Sequence, residues 1–182
     1  ISDIVPTIKE INIETASVEL NYYIKAQTAS GQETYHVKEF YRVRYSGNRI
    51  YLLAFNRNME AEFNPDYFSL KKSQFKIGIS NESDFNVVTS SDNKSFAFVR
   101  NGTLWFYDIE KEKLTQVFSF SKKNPDYLRD NYDQHNIKIL KINKDKSLSF
   151  VVYGYMNCGD YEGRVGIILY DYTPENNQIK ER

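Results

Sequence analysis

A four-residue motif occurs twice in this chain, and its spacing constrains the fold more than any other feature. Asn64-Pro65-Asp66-Tyr67 returns 60 residues later as Asn124-Pro125-Asp126-Tyr127. The segments after the two copies are also alike. Each reads as strand, a turn rich in Asp, Asn, Lys and Ser, strand, hairpin, strand ending in Tyr-Asp, polar turn and strand. Four strands joined by tight turns form an antiparallel meander, the unit of one β-propeller blade, so the repeat predicts a repeat architecture.

The predicted strands are short runs rich in β-branched and aromatic residues. After the first copy they are Phe85–Val88, Phe96–Val99, Leu104–Asp108 and Leu114–Phe120. After the second copy they are Ile137–Ile142, Leu148–Tyr155, Gly166–Asp171 and Gln178–Glu181. The polar segments between the sheets, 58–74 and 121–136, are predicted to be linkers, with Tyr67 and Tyr127 packing between successive sheets.

A weaker third copy precedes both motifs. Its predicted strands are Ile8–Ile13, Val18–Ala26, Tyr35–Tyr45 and Arg49–Phe55, and Ser46-Gly47-Asn48 is a hairpin turn between the last two. In the second strand Val18, Leu20, Tyr22 and Ile24 alternate with other residues, which predicts one buried face.

Composition supports a sheet protein. Ile, Val, Thr, Tyr, Phe and Trp together number 63, whereas Ala, Leu and Met number 18. Side chains of the first group fit a pleated surface and disfavour helix. We therefore predict an all-β fold of antiparallel four-stranded meanders, a propeller-like partial array of about three blades, with a β-sandwich as the alternative. The predicted units are 1–63, 64–123 and 124–182. Because three blades are fewer than a closed propeller needs, self-association through exposed sheet edges is expected.

Charge and cysteine content disfavour nucleic acid as a partner and exclude an intrachain disulfide. Lys plus Arg and Asp plus Glu number 24 each, so no general attraction draws the chain to nucleic acid. No apolar run approaches the ~20 residues of a membrane-spanning helix. Cys158 is the one cysteine, which leaves no intrachain disulfide and no thiolate metal cage. The chain starts at Ile1 and not at Met, so any signal peptide or membrane anchor would lie outside it.

The candidate binding site is the long hairpin between the second and third strands of the last segment. It combines polar, aromatic and charged side chains on a loop of a rigid sheet, where binding residues concentrate. The candidate residues are Tyr155, Asn157, Asp160, Tyr161, Glu162 and Arg164. A Ca²⁺ variant would use the oxygens of Asn157, Asp160 and Glu162, but the spacing matches no EF-hand loop. The structural alternative is a hairpin whose glycines supply positive φ and whose charges are solvated.

No catalytic constellation emerges. His36 and His135 are the two histidines, and no residue is identifiable that would orient His135 toward Cys158 as a nucleophile and base pair. G-x-S-x-G, H-E-x-x-H, C-x-x-C, G-x-G-x-x-G and Walker motifs are absent from the sequence. The sequence predicts no catalytic residue, no metal site and no cofactor.

Two resemblances bear on function. The stretch 92–115, DNKSFAFVRNGTLWFYDIEKEKLT, and the residues after it resemble blades of TolB-like or dipeptidyl-peptidase-type propellers. EFYRVRYSGNRIYLLAF (39–55) and YGYMNCGDYEGRVGIILYDY (153–172) resemble segments of large, uncharacterised membrane-anchored proteins of low-GC Gram-positive bacteria. The second resemblance implies an extracytoplasmic, cell-surface location and carries over no catalytic residue.

The expected function is a non-catalytic interaction or scaffold domain with a protein or cell-wall partner. Two alternatives remain. One is an accessory propeller domain of a larger hydrolase, and the other is a carbohydrate-binding module that uses exposed aromatic side chains such as Tyr155 and Tyr161. Nucleic acid is not an expected partner, and membrane contact is expected only through an anchor outside this chain.

Overall fold

The structure, a computed structural model, describes residues 4–28, 31–65, 87–120, 132 and 134–182. The chain divides into two compact units, Ile1–Ser83 and Asp84–Arg182. The described elements are twelve β-strands in three four-stranded sheets, and every sheet is an antiparallel meander. The predicted all-β fold of repeated four-stranded meanders is confirmed.

The first unit holds one sheet of long strands in the order β1-β2-β3-β4. Its strands are β1 (Val5–Ile11), β2 (Thr15–Thr28), β3 (Gly31–Ser46) and β4 (Arg49–Ala61). Gly47 and Asn48 connect β3 to β4 with φ of 58° each, and Ser46 pairs with Arg49. Positive φ at both central residues is what a type I′ hairpin turn requires, so the predicted turn forms as expected.

The strand β4 is longer than the sequence predicts. Its pairing with β3 continues to the pair of Tyr35 with Ala61, so the linker expected from residue 58 starts after Ala61 instead. Residues 56–60 are mostly polar, so their composition does not predict a strand. They form one because each pairs with a residue of β3 in the long hairpin. The register shifts by one residue in this hairpin, and Leu53 is the extra residue of a β-bulge.

The second unit holds the other two sheets, with strand orders β5-β6-β7-β8 and β12-β11-β10-β9. The first of these contains β5 (Val87–Thr89), β6 (Ser95–Arg100), β7 (Thr103–Asp108) and β8 (Lys113–Ser119). The other contains β9 (His135–Ile142), β10 (Leu148–Tyr155), β11 (Val165–Thr173) and β12 (Gln178–Glu181). Each of these strands overlaps a strand predicted from the sequence.

The internal repeat extends to the chemistry of the turns. In the β5–β6 turn, Asp92 Oδ1 accepts hydrogen bonds from Ser90 Oγ (2.6 Å) and from the Lys94 amide (3.1 Å). In the β9–β10 turn, Asp145 Oδ1 accepts from the hydroxyl (2.7 Å) and amide (3.0 Å) of Ser147. Carboxylates that bond to the backbone two residues on stabilise such turns. An Asp carboxylate therefore stabilises the turn that precedes the second strand in both of these sheets.

The two sheets of the second unit share one apolar core. It contains residues of both sheets at low exposure, namely Ala97, Leu104, Phe106, Val117, Phe120, Ile139, Ile142, Leu148, Phe150, Val152, Met156, Ile168 and Tyr172. Phe118 connects the sheets, because its ring lies 5.8 Å from that of Phe150 and 5.6 Å from that of Tyr170. Burial of these side chains is the main force that holds the two sheets together.

An ion-pair network also joins these sheets. Lys146 Nζ, in the β9–β10 turn, lies 3.0 Å from Asp108 Oδ2 and 2.7 Å from Glu110 Oε2, near the β7–β8 turn. Lys94 Nζ lies 2.5 Å from Glu110 Oε1. The two lysines lower the pKa of Glu110 to about 2, through hydrogen bonds first and through their charges second.

Some predictions fall outside the described residues. Tyr67 and Tyr127, which are expected to pack between successive sheets, both lie outside the described residues. The boundaries between 63 and 64 and between 123 and 124 stay predictions.

Candidate functional site on β11

The strand β11 is paired along its whole length on one side and only partly on the other. It pairs with β10 from Val165 to Tyr172, but with β12 only from Tyr170 to Thr173. Beyond β12 the Arg182 amide donates to the Leu169 carbonyl at 3.0 Å. Among the described residues, 165–168 therefore have no strand partner on the β12 side.

The direction of the backbone groups in this segment follows from the register. In an antiparallel ladder, alternate residues direct their N–H and C=O to opposite neighbours. The Met156 amide donates to the Arg164 carbonyl at 2.9 Å. The N–H and C=O groups of the even-numbered residues of β11 therefore point to β10, whereas those of Leu169 point to the β12 side. The N–H and C=O groups of Val165 and Ile167 therefore point to the β12 side of β11.

Apolar side chains accompany this open edge. Val165 and Ile167 are 79% and 77% exposed, on the face opposite the core. They pair across the ladder with Tyr155 and Tyr153 of β10. We call Tyr153, Tyr155, Val165 and Ile167 the β11 patch. Large apolar side chains grouped at a sheet edge are a feature of interaction surfaces.

A groove of about 300 Å³ runs along the same edge. It is lined by residues of β11, of the β10–β11 loop and of the chain after β12, which are Met156, Tyr161, Arg164, Val165, Gly166, Ile167, Ile168, Leu169, Glu181 and Arg182. A methyl group built onto Gly166 would meet no atom within 4 Å apart from its chain neighbours, so there is open space beside this residue.

The β10–β11 loop is held by its own hydrogen bonds. The Gly163 amide donates to the Met156 carbonyl (2.9 Å), the Glu162 amide to Gly159 (3.1 Å) and the Arg164 amide to Tyr161 (3.0 Å). These contacts hold Tyr161 and Arg164 at the end of the groove.

Two of the six predicted site residues, Tyr161 and Arg164, line the groove. Tyr155 belongs to the β11 patch, with its ring edge-to-face against Tyr132 at 4.9 Å. Asn157 is fully buried, and its amide donates to the Tyr132 carbonyl at 2.7 Å, which is an anchor for the loop. Asp160 and Glu162 are exposed on the loop.

Val165 and Ile167 were not among the predicted site residues. Their exposure on the face opposite the core follows from the register of β11 with β10 and not from a local motif.

The charged side chains that line the groove differ in whether they have a hydrogen-bond or ion-pair partner. The Tyr161 hydroxyl donates to Glu181 Oε1 at 2.9 Å, and this bond to a carboxylate raises the pKa of Tyr161. Arg182 Nε lies 3.4 Å from Asp171 Oδ2. Arg164 forms no ion pair with any described residue and is exposed. Arg164 is therefore an exposed cation at the loop end of the groove, and Glu181 is an acidic group of the same groove.

Other chemistries have less support in this part of the chain. The described residues contain no group of three or more His, Cys, Asp or Glu side chains that could hold a metal ion. The His135 ring packs edge-on against Phe120 at 4.6 Å, and Cys158 is half-buried beside the core. Within the described ranges, no helix has the length and apolar character to cross a membrane.

A second polar cluster lies in the first unit, on a mostly apolar face of its sheet. The buried Glu39 carboxylate accepts hydrogen bonds from Tyr22 Oη (3.0 Å), Tyr41 Oη (2.8 Å) and Arg57 Nε (2.5 Å). Burial raises the pKa of Glu39, but the bonds from Tyr41, Arg57 and Tyr22 outweigh it and the pKa lies below its usual value. Since these partners satisfy the carboxylate within the sheet, we assign the cluster a structural role.

Comparison with known proteins adds no relative. No protein-family model matches the chain, and no curated protein is significantly similar to it.

Proposed function

We propose that this chain is a non-catalytic interaction domain that binds a protein partner through the β11 patch. One observation carries the proposal: exposed apolar side chains of two neighbouring strands, Val165, Ile167 and Tyr153, lie together on the face of the sheet opposite the core. Grouped apolar side chains that face solvent are a feature of protein interaction sites.

The proposed location is extracytoplasmic, at the surface of a bacterial cell, and the sheets are proposed to be blades of the TolB-like or dipeptidyl-peptidase type. The resemblance of 39–55 and 153–172 to membrane-anchored proteins supports the location. A membrane-impermeant amine reagent applied to intact producing cells tests it: we expect labelling before lysis. Labelling only after lysis would contradict an outside location.

Site-specific photo-crosslinking in the producing cells tests the binding function. A benzophenone amino acid placed at Ile167 should give one predominant crosslinked protein. The same group at Lys111, an exposed turn residue of the other sheet in this unit, is the matched control. Adducts of equal yield from both positions, or none from position 167, would refute the proposed surface.

A further inference from the structure

The first unit has an exposed surface of its own, at one end of its sheet. We call residues 11–14 and 43–53 the hairpin tip, and we propose that the hairpin tip inserts into the surface of an anionic lipid bilayer. This contact goes beyond the proposed function, because it uses other residues than the β11 patch, in another unit of the chain.

The hairpin tip consists of two turns that lie side by side. Residues 12–14 connect β1 to β2, and residues 47–48 connect β3 to β4. The Tyr45 amide donates to the Glu14 carbonyl at 2.7 Å, so the two turns are in direct contact. The strand β4 ends at Ala61, at the other end of the sheet. The turns therefore form one projecting end of the first sheet.

Large apolar side chains are exposed at this end. Ile13 is fully exposed in a turn, a position where Gly, Asn, Asp and Ser are the usual residues. The register places four more on one face, with exposed fractions of 72% for Ile11, 55% for Tyr45, 73% for Ile50 and 60% for Leu52. A groove of about 210 Å³ lies between the turns on the same face. Grouped apolar side chains of this kind mark protein or membrane contact sites.

Arginines accompany these apolar side chains. Residues 41–55 contain Arg42, Arg44 and Arg49 and no Asp or Glu. All three arginines are exposed, and none forms an ion pair with a described residue. The Arg44 guanidinium lies 5.7 Å from the centre of the Tyr51 ring. The register places the three arginines on the face opposite Ile50, so the hairpin is apolar on one face and basic on the other.

The neighbouring hairpin offsets part of this charge. It carries Glu10 and Glu14, both exposed. Glu10 lies on β1, two strands from β3, a separation of roughly 10 Å. That separation is about one Debye length in 0.1 M salt, so the β3–β4 hairpin keeps a positive field of its own. Electrostatic attraction to lipid is therefore modest, and insertion of apolar side chains has to supply most of the affinity.

A bilayer surface matches both faces of the hairpin tip at once. Ile13 and Ile50 would enter the acyl region, while the arginines reach the headgroup phosphates through their long apolar stems. Tyr45 combines an apolar ring with a hydroxyl that donates to Asn48 Oδ1 at 3.0 Å, and such amphipathic rings favour the membrane interface. Approach along the strand direction brings both faces to the lipid together.

A second copy of this chain is a poorer occupant. Packing of two copies through their apolar faces would cover Ile50 and Leu52 but would leave all three arginines outside the contact. A lipid surface that presents acyl chains below phosphates uses both features of the hairpin tip, so we assign the hairpin tip to lipid.

Co-sedimentation of the whole chain with lipid vesicles tests the proposal. Vesicles of phosphatidylcholine with about 30% phosphatidylglycerol should bind the chain about fivefold to tenfold more tightly than vesicles of phosphatidylcholine alone. Added salt should reduce this difference. Absence of binding to the anionic vesicles would overturn the proposal.

Substitution of exposed apolar residues measures the insertion. Ile13→Ser and Ile50→Ser should each weaken binding about tenfold, because each removes an apolar side chain that enters the lipid. Met59→Ser, at a 47% exposed position near the other end of β4, is the matched control and should change binding by less than about twofold. Equal losses from Met59→Ser, or none from the two isoleucines, would refute insertion of the hairpin tip.

Substitution of an arginine measures the charged contact. Arg49→Gln should weaken binding to the anionic vesicles about threefold to fivefold and leave binding to phosphatidylcholine nearly unchanged. Lys25→Gln, which removes an exposed cation near the other end of β2, should have no effect on either. Equal losses from Lys25→Gln would show attraction to the chain as a whole and would refute the assigned surface.

Fluorescence locates the contact without loss of binding. Ile13→Trp should shift its emission to shorter wavelength on anionic vesicles and be quenched by lipids with brominated acyl chains, whereas Met59→Trp should show neither effect. Trp105 contributes the same background to both variants. Quenching of both or of neither would overturn insertion at the hairpin tip.

Sedimentation without lipid tests the alternative occupant. Concentration-dependent dimers that Ile50→Ser abolishes, in a chain that does not bind vesicles, would show that a second copy covers the hairpin tip and would overturn the proposal. Crosslinking from position 167 reports on the other unit, so either proposal can fail while the other stands.

Discussion

The two units of this chain bury the faces of their sheets by different means. In the second unit, apolar side chains from two sheets interlock, and Leu104, Phe106 and Phe150 have almost no exposed surface. In the first unit, Val37 and Glu39 of β3 are neighbours on one face of the sheet and are buried at its centre. One unit therefore relies on close packing, and the other places a hydrogen-bonded carboxylate where a large apolar side chain would be expected.

The difference shows how each unit responds to change. Close-packed interiors lose stability when any volume is removed, because the surrounding structure relaxes only partly. A buried polar cluster depends instead on the completeness of its hydrogen bonds. The two units should therefore respond most strongly to different substitutions.

The largest contrast is expected for two phenylalanines. Phe150→Ala removes a fully buried ring of the second unit and should cost about 3–5 kcal/mol in the free energy of unfolding. Phe55→Ala, at a position in β4 that is 47% exposed, should cost less than about 1 kcal/mol. Urea unfolding followed by mass-spectrometric hydrogen exchange reports each unit separately. Similar losses for the two variants would break the comparison.

Two glycines give a smaller contrast. Gly154 has φ of 110°, and a methyl group there would overlap the Gln134 carbonyl oxygen. Gly154→Ala should cost about 2–4 kcal/mol. Gly47 has φ of 58° with open space around it, so Gly47→Ala should cost only about 1 kcal/mol. Fluorescence of Trp105, the one tryptophan, detects unfolding of the second unit, and hydrogen exchange of β3 and β4 detects unfolding of the first. A loss from Gly47→Ala as large as that from Gly154→Ala would contradict this contrast.

Acid should produce the smallest contrast. The pKa of Glu39 and the pKa of Glu110 are both lowered by folding, so each carboxylate contributes stability above its unfolded pKa near 4.5. That contribution is lost as the pH falls through the folded value, which for Glu110 is about 2. Glu39→Gln and Glu110→Gln should each flatten the acid dependence of its own unit.

Chemical denaturation at pH 7 and pH 3, followed for each unit by NMR, measures this effect. Glu110 is half exposed and pairs with two lysines at the surface, so salt should reduce its contribution more than that of buried Glu39. If either substitution changed the acid dependence of the other unit and not of its own, the roles assigned to Glu39 and Glu110 would be wrong.

Local sequence patterns were sufficient for much of the fold. Gly47-Asn48 and Asn101-Gly102 mark hairpin turns in the sequence, and both pairs have positive φ in the structure. The strands on either side of them were predicted because their alternation and composition are local properties. The repeat then predicted that successive sheets would be alike, and the turns at Asp92 and Asp145 follow it.

Features that depend on the pairing of distant residues could not be predicted in the same way. Glu39 reads as an ordinary polar residue in a strand, because its partners Tyr22 and Arg57 lie 17 and 18 residues away and meet it only through the register. Likewise, Asn157 appeared suited to bind a ligand, and only the structure shows its contact with Tyr132. Tyr161 and Arg164 lie on the predicted loop, but their position beside Val165 could be seen only in the structure.

The bulge at Leu53 bears on the solubility of the protein. The outer side of β4 has no strand partner among the described residues, and exposed apolar side chains line it. A straight edge of this length is a template for fibrous aggregation, which grows through uninterrupted segments of six or seven residues. The extra residue bends β4 and divides it into a four-residue run, 49–52, and a longer run, 54–61, that contains Arg57 and Glu60. The apolar run is thus too short to seed a fibril, and the longer run carries charges that oppose stacking of identical chains.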